Sequence, residues 1–146
     1  MNLVVDTNIV FSTLLNPNSA IGEILMNIQD DLTFFAPELL KDELKRYAHK
    51  IAAYSKLNHQ ALLDIELVVL STINFVREES VSRDAWSRAF ALASDIDEAD
   101  TPFIALGIEL NAKLWTGDKV LTKGLTQKGV DMIITTPDLK KLINKI

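Results

Sequence analysis

From Asp95 to Glu109 the chain carries five acidic residues and no Lys or Arg. The run Asp95-Ile96-Asp97-Glu98-Ala99-Asp100 leads into Thr101-Pro102-Phe103-Ile104-Ala105-Leu106-Gly107, and Leu114-Trp115-Thr116-Gly117-Asp118-Lys119 follows. Acids so dense and uncompensated are either solvated or meet a cation. Two more acids sit in comparable settings. Asp6 closes the apolar run Leu3-Val4-Val5 and precedes Thr7-Asn8. Glu43 falls inside the apolar stripe Leu40, Leu44, Tyr47 of a predicted helix, while Lys41, Asp42, Lys45 and Arg46 mostly lie off it. A carboxylate on a buried side needs a partner, a proton or a metal. Pairing with Lys50 is the ordinary alternative for Glu43.

The available donors define the metal. The chain has no Cys and two His, so a bound ion would be held by oxygen, which points to Mg²⁺ or Mn²⁺. The lack of Cys also excludes disulfides and suits a reducing cytoplasm. No apolar run approaches the ~20 residues of a membrane span. The N-terminus has no basic region before its first acid, so no signal peptide is visible. A length of 146 residues with 48% hydrophobic content fits one packed domain. The net charge of −5 does not advertise nucleic-acid binding. Its distribution is more permissive: Lys113 to Ile146 holds seven Lys against three Asp, and Lys41, Lys45, Arg46, Lys50 and Lys56 form an earlier group. Such charges are most often solvated faces.

These residues must be positioned by an alternation of strands and helices. Leu3-Val4-Val5 reads as a buried strand, followed by the apolar run Ile9 to Leu15. Ser19 is placed to cap a helix over Ala20 to Gln29. Leu32 to Ala36 reads as a second strand, and one helix is expected from Pro37 to about Ala53. Asn58 to Ile73 is predicted helical with Leu62, Leu63, Leu67, Val68 and Leu70 inward. Asn74-Phe75-Val76 suggests a third strand. Arg83 to Ser94 reads as a helix with Ala85, Trp86, Ala89, Phe90 and Ala93 on its core side, and that spacing favours Trp86 as core over a nucleobase platform. Thr101 and Pro102 start the next helix, which leads to a fourth strand at Lys113 to Thr116. Lys119 to Gly129 reads as a substrate-binding loop or a solvated turn. Asp131 to Thr135 is a fifth strand, and Pro137 opens a last helix to the C-terminus. The alternation implies an α/β layered fold around a mostly parallel sheet.

In such sheets ligands bind beyond the carboxyl ends of the strands. If the first and fourth strands are neighbours, Asp6, Asp100 and Asp118 converge, with Glu43 projecting from its helix. Each acid alone has a structural explanation: Asp6 and Asp100 could cap helices, and Asp118 could make an Asx-turn. Together they suit hard divalent cations that activate water against a phosphodiester. Thr7, Asn8 and Thr116 are polar neighbours fit to orient the acids or to contact phosphate.

Val4-Val5-Asp6-Thr7-Asn8-Ile9-Val10 resembles the opening motif of PIN-domain ribonucleases. Asp97-Glu98-Ala99-Asp100-Thr101-Pro102-Phe103-Ile104-Ala105-Leu106-Gly107 with Leu114-Trp115-Thr116-Gly117-Asp118 resembles that family's second signature. The resemblance spans nearly the whole chain, in a size similar to VapC-type toxins of toxin–antitoxin pairs. It implies a single PIN-like domain over residues 1–146, a three-layer α/β/α fold with five parallel strands, and Mg²⁺- or Mn²⁺-dependent cleavage of RNA. It also implies a homodimer and, for a toxin, a cognate antitoxin. The family's four acids fall on Asp6, Glu43, Asp100 and Asp118, with Glu38 the alternative to Glu43. Asp97 matches an accessory acid of some members, and Lys119 adjoins the fourth acid as a candidate substrate contact. Residues 52–84 match no family motif.

Other readings fit less well. A haloacid-dehalogenase phosphatase needs a second acid where Asn8 stands, and a dinucleotide-binding domain needs a Gly-rich turn after the first strand. A receiver domain needs an Asp after the third strand, where Arg77-Glu78-Glu79 stands. A non-catalytic binding module and a housekeeping RNA-processing nuclease remain as alternatives to a toxin.

Overall fold

A computed structural model describes residues 1–27 and 30–144. The strands β1 (Asn2–Val5), β2 (Thr33–Pro37), β3 (Ile73–Val76), β4 (Lys113–Trp115) and β5 (Ile133–Ile134) form one parallel sheet in the order β3-β2-β1-β4-β5. Helices cover both faces, giving three layers. The chain fills β1, β2 and β3 in one direction, then returns past β1 to place β4 and β5 on the other side. The β1–β4 junction is therefore the topological switch point, where a crevice opens beyond the strand ends.

On one face α1 (Thr7–Leu15) packs against α2 (Ala20–Met26), α3 (Leu39–Arg46), α4 (Ala48–Tyr54) and α5 (His59–Ser71). On the other, α7 (Thr101–Leu110) lies across β1, β2 and β4, and α6 (Arg83–Ala93) packs on α7. The chain finishes with α8 (Lys119–Gln127) and α9 (Thr136–Asn144). Leu3, Val4 and Val5 are all fully buried, as expected of a central parallel strand covered on both faces. Ser19 caps α2 by accepting from the Gly22 N–H at 3.1 Å, and Asn58 caps α5 from the Ala61 N–H at 2.8 Å. Asn111 ends α7 in the left-handed conformation (φ 50°), which Asn tolerates better than most residues.

Four readings of the sequence need correction. The helix expected from Pro37 to Ala53 starts later and is two helices. Pro37 ends β2 in register with Val76, and the Glu38 N–H continues the pairing by donating to the Val76 carbonyl at 3.1 Å. The joint at Tyr47 has no Gly or Pro to mark it; the Tyr47 ring instead packs edge-on against Phe11 of α1, 6.3 Å between centroids. Lys119 to Gly129 is neither loop nor turn for most of its length. It forms α8, because Asp118 caps it and Leu121 and Leu125 recur one turn apart into the core. Third, α5 buries Leu62 and Val69 but leaves Leu63, Leu67 and Val68 exposed. Fourth, α6 buries Ala85, Ala89 and Ala93 while Phe90 is 49% exposed. The end of the helix expected to reach Gln29, and the last two residues of the chain, lie outside the described residues.

Candidate active site

The first turn of α1 begins where β1 ends, so Asp6 stands at the carboxyl end of the central strand. Its backbone N–H donates to the Trp115 carbonyl at 3.0 Å, which locks Asp6 beside the end of β4. Thr116 and Asp118 follow directly on that neighbouring strand. Asp100 precedes α7 at the end of a 3₁₀ turn, Glu98–Asp100. Glu43 comes from α3, whose Leu40 and Leu44 are buried and turn the half-buried Glu43 toward the same place. Asp6, Glu43, Asp100 and Asp118 together line a cleft of about 320 Å³. Glu38, the alternative on this helix, is exposed and lies outside the cleft lining.

Thr116 is the hub of the floor. Its Oγ1 donates to Asp6 Oδ2 at 2.7 Å and lies within hydrogen-bond distance of Asn8 Nδ2 (3.2 Å) and the Asp118 N–H (3.0 Å). Asn8 Nδ2 also reaches Asp6 Oδ2 at 3.3 Å, while its Oδ1 accepts from the Gly117 N–H at 3.2 Å. One threonine and one asparagine thus tie the ends of β1 and β4 together and fix the Asp6 carboxylate.

The ordinary explanations separate here. Asp6 and Asp100 occupy N-cap positions, yet neither side chain makes a capping bond. Asp118 does cap: its Oδ1 accepts from the Val120 and Leu121 N–H groups at 2.9 and 3.1 Å. Asp97 is exposed and accepts from the Ala99 N–H at 3.0 Å, at the rim of the cluster. Lys119 faces a separate recess beyond Thr116 and Gly117, shared with Lys123 and Thr136.

Burial and mutual repulsion set the electrostatics. Burial holds the Asp6 carboxyl above its ordinary range against the hydrogen bonds from Thr116 and the Thr7 backbone, and Asp118 and Glu43 add to the effect. Asp100 is pushed up to about 7, by burial first and then by the charges of Asp6, Asp97, Asp118 and Glu43. Asp100 Oδ2 and Thr7 Oγ1 are buried without a hydrogen-bond partner among the described residues. Among the described residues no three His, Cys or acidic side chains stand close enough, as they lie, to hold a cation. The chemistry of the set nevertheless fits one: all donors are hard oxygens, two are unpartnered, and the carboxylates destabilise one another's charged forms.

Phe11, Tyr47 and Lys50 also line the cleft, and sequence reasoning did not place them there. Tyr47 lies one turn beyond Glu43, a spacing that could have suggested it. Lys50 forms no ion pair with Glu43 among the described residues.

The PIN domain family model matches residues 4–136. The chain belongs to the PIN domain family. A curated relative, the uncharacterized protein MJ1680 of Methanocaldococcus jannaschii, is 29% identical over 124 residues, 83% of this chain and 73% of that protein. A chain of VapBC2 from Rickettsia felis, crystallised bound to a DNA fragment from its promoter, superposes with a TM-score of 0.57 at 17% identity, covering 92% of this chain and 97% of the other. That likeness is one of fold. PIN membership supports a nuclease-type role, and no described helix is long and apolar enough to cross a membrane.

Proposed function

We propose that this PIN protein is a metal-dependent endoribonuclease, one nuclease domain acting as the toxin of a toxin–antitoxin pair. The observation that carries the reading is the meeting of Asp6, Glu43, Asp100 and Asp118 in one cleft at the sheet's switch point. These four would hold Mg²⁺ or Mn²⁺, with Asp97 adding negative charge at the rim. The ion, when bound, supplies charge neutralisation at a phosphodiester and lowers the pKa of a water. The chain's own contribution is orientation. Thr116 and Asn8 fix the Asp6 carboxylate, Thr7 offers a free hydroxyl, and Lys119 stands beyond Thr116 as a phosphate contact. Hydrolysis adds water to phosphorus and breaks its bond to the leaving ribose oxygen.

A protein partner is supported by a different region. Tyr54, Leu63, Leu67 and Val68 of α4 and α5 are 70%, 43%, 70% and 42% exposed, an apolar surface suited to a homodimer contact or a cognate antitoxin. The fold likeness to VapBC2 agrees with such an assembly, and the cysteine-free chain suits the cytoplasm.

Cleavage of single-stranded RNA should require Mn²⁺ or Mg²⁺ and disappear with EDTA or with Asp6→Asn. RNA cleavage that survives both treatments would overturn the metal-nuclease reading. A second reading, a non-catalytic binding module, draws on the spacing of the acids, no three of which enclose a cation as they lie. Calorimetry separates the two: Mn²⁺ binding lost in Asp100→Asn supports the nuclease, and no Mn²⁺ binding in the wild type supports the module.

A further inference from the structure

Helix α6 packs on α7 through Ala85, Ala89 and Ala93, which are at most 1% exposed. The small side chains let the two helices approach closely, and Leu92 and the inner part of Trp86 add to the same packing. Phe90 and the outer part of Trp86 are left outside that packing. Trp86 is half-buried and its indole N–H donates to the Glu78 carbonyl at 3.3 Å, which fixes the ring. Phe90, one turn on, is half exposed with no core role. Together with Arg83, Glu98, Thr101 and Pro102 they line a recess of about 550 Å³.

The position of this recess matters more than its size. The 3₁₀ turn Glu98–Asp100 separates it from the acid cleft: Glu98 and Thr101 face the recess, and Asp100 between them faces the acids. A strand of RNA whose phosphate lies at the acids would bring an adjoining base to this recess. Exposed aromatic faces stack on unpaired bases, and a guanidinium at the edge can contact phosphate or stack as well. Glu98 supplies a carboxylate acceptor, which suits a base edge carrying N–H donors and not one presenting carbonyls alone.

We infer that the Trp86–Phe90 recess is a nucleobase subsite that seats a base next to the cleaved phosphodiester, and that Glu98 selects guanine there. Guanine offers two N–H donors on its Watson–Crick edge, and uracil offers one flanked by carbonyls. The assignment rests on the endoribonuclease reading and extends it from reaction to specificity. A larger recess, about 630 Å³ near Arg88, Lys113 and Met132, lies at the opposite end of β4 and has no such link to the acids.

The test is fluorescence anisotropy with Mn²⁺ present, using phosphorothioate-linked single-stranded RNA: an all-uridine oligomer and one with a single central guanosine. The guanosine oligomer should bind at least about fivefold tighter. Phe90→Ala should weaken binding about tenfold, and Phe90→Trp should restore it. Glu98→Gln should erase the guanosine preference, and this exposed position carries the test alone if alanine at 90 unsettles α6. Mn²⁺ affinity should be the same in all three variants. Wild-type binding matched by Phe90→Ala, with no guanosine preference, overturns the subsite while leaving the nuclease intact. Phe90→Ala that instead changes the sedimentation of the protein, with RNA affinity unchanged, makes this face a contact between copies and also overturns it. A wild type that neither binds nor cleaves RNA overturns the nuclease reading itself, before any variant is made.

Discussion

Helix α7 buries Phe103, Ile104, Ala105, Leu106 and Gly107 in succession, whereas α5, also rich in Leu and Val, buries only Leu62 and Val69 and leaves Leu67 70% exposed. The difference lies in what surrounds each helix. α7 has the sheet beneath it and α6 outside it, so every side of its apolar stretch finds a neighbour. α5 rests on α1, α2 and β3, and Leu63, Leu67 and Val68 on its outer side stay exposed. An apolar helix is thus a core element or an interaction surface according to its layer. The position of the acids follows the same logic. Asp100, at the start of the enclosed α7, is partly desolvated and its carboxyl is pushed up to about 7.

The comparison predicts that one kind of substitution costs much more in one helix than in the other. Leu106→Ala, at a fully packed position, should cost about 2–5 kcal/mol in urea unfolding through lost burial and the cavity left behind. A loss below about 1 kcal/mol would mean that α7 is not enclosed on all sides.

Thr116→Val probes the link between that packed layer and the site. It keeps the shape but removes the hydroxyl shared by Asp6, Asn8 and the Asp118 backbone. A stability loss of about 1–3 kcal/mol is expected, together with a ten- to hundredfold fall in RNA cleavage, on the order seen when groups that orient metal ligands are removed. Unchanged values of both would show that the hub is dispensable.

The enclosure of Asp100 has a pH signature. A carboxyl whose folded pKa is raised is protonated more readily in the folded state than in the unfolded one. Its ionisation therefore destabilises the metal-free protein as pH rises from about 4 to about 7, and it carries no penalty below that window. Asp100→Asn should raise the melting temperature in EDTA at pH 8 and make little difference near pH 3. Because Asp100 is partly exposed, solvent screening holds the gain to about 1–2 kcal/mol. With Mn²⁺ the order should invert, since binding stabilises only a protein that retains its ligands. A lower melting temperature for the variant in EDTA at pH 8 contradicts the repulsive site.

Leu67→Ala gives the smallest effect, within about 0.5 kcal/mol, because the side chain is mostly solvated. A larger loss that grows with protein concentration would break the comparison from the other side, by showing α5 buried between chains in solution.

The sequence by itself determined much of this protein. Short apolar runs of branched residues ending in Asp6 and in Thr116-Gly117-Asp118 are enough to mark strands with acids at their carboxyl ends. Ser19 and Asn58 announce helix starts through chemistry confined to a few neighbouring residues. The two motifs carry the PIN family in plain view, since the residues that hold a site next to a strand end are local to that strand. What lay beyond the sequence is whatever depends on a neighbour distant along the chain. Only the tertiary structure put β1 beside β4, brought the Glu43 that the sequence favoured into the cleft, and broke a helix at Tyr47 against Phe11. It also turned Phe90 and Leu67 outward although both recur at helical spacing, because periodicity shows that a helix has an apolar side but not what, if anything, packs against it.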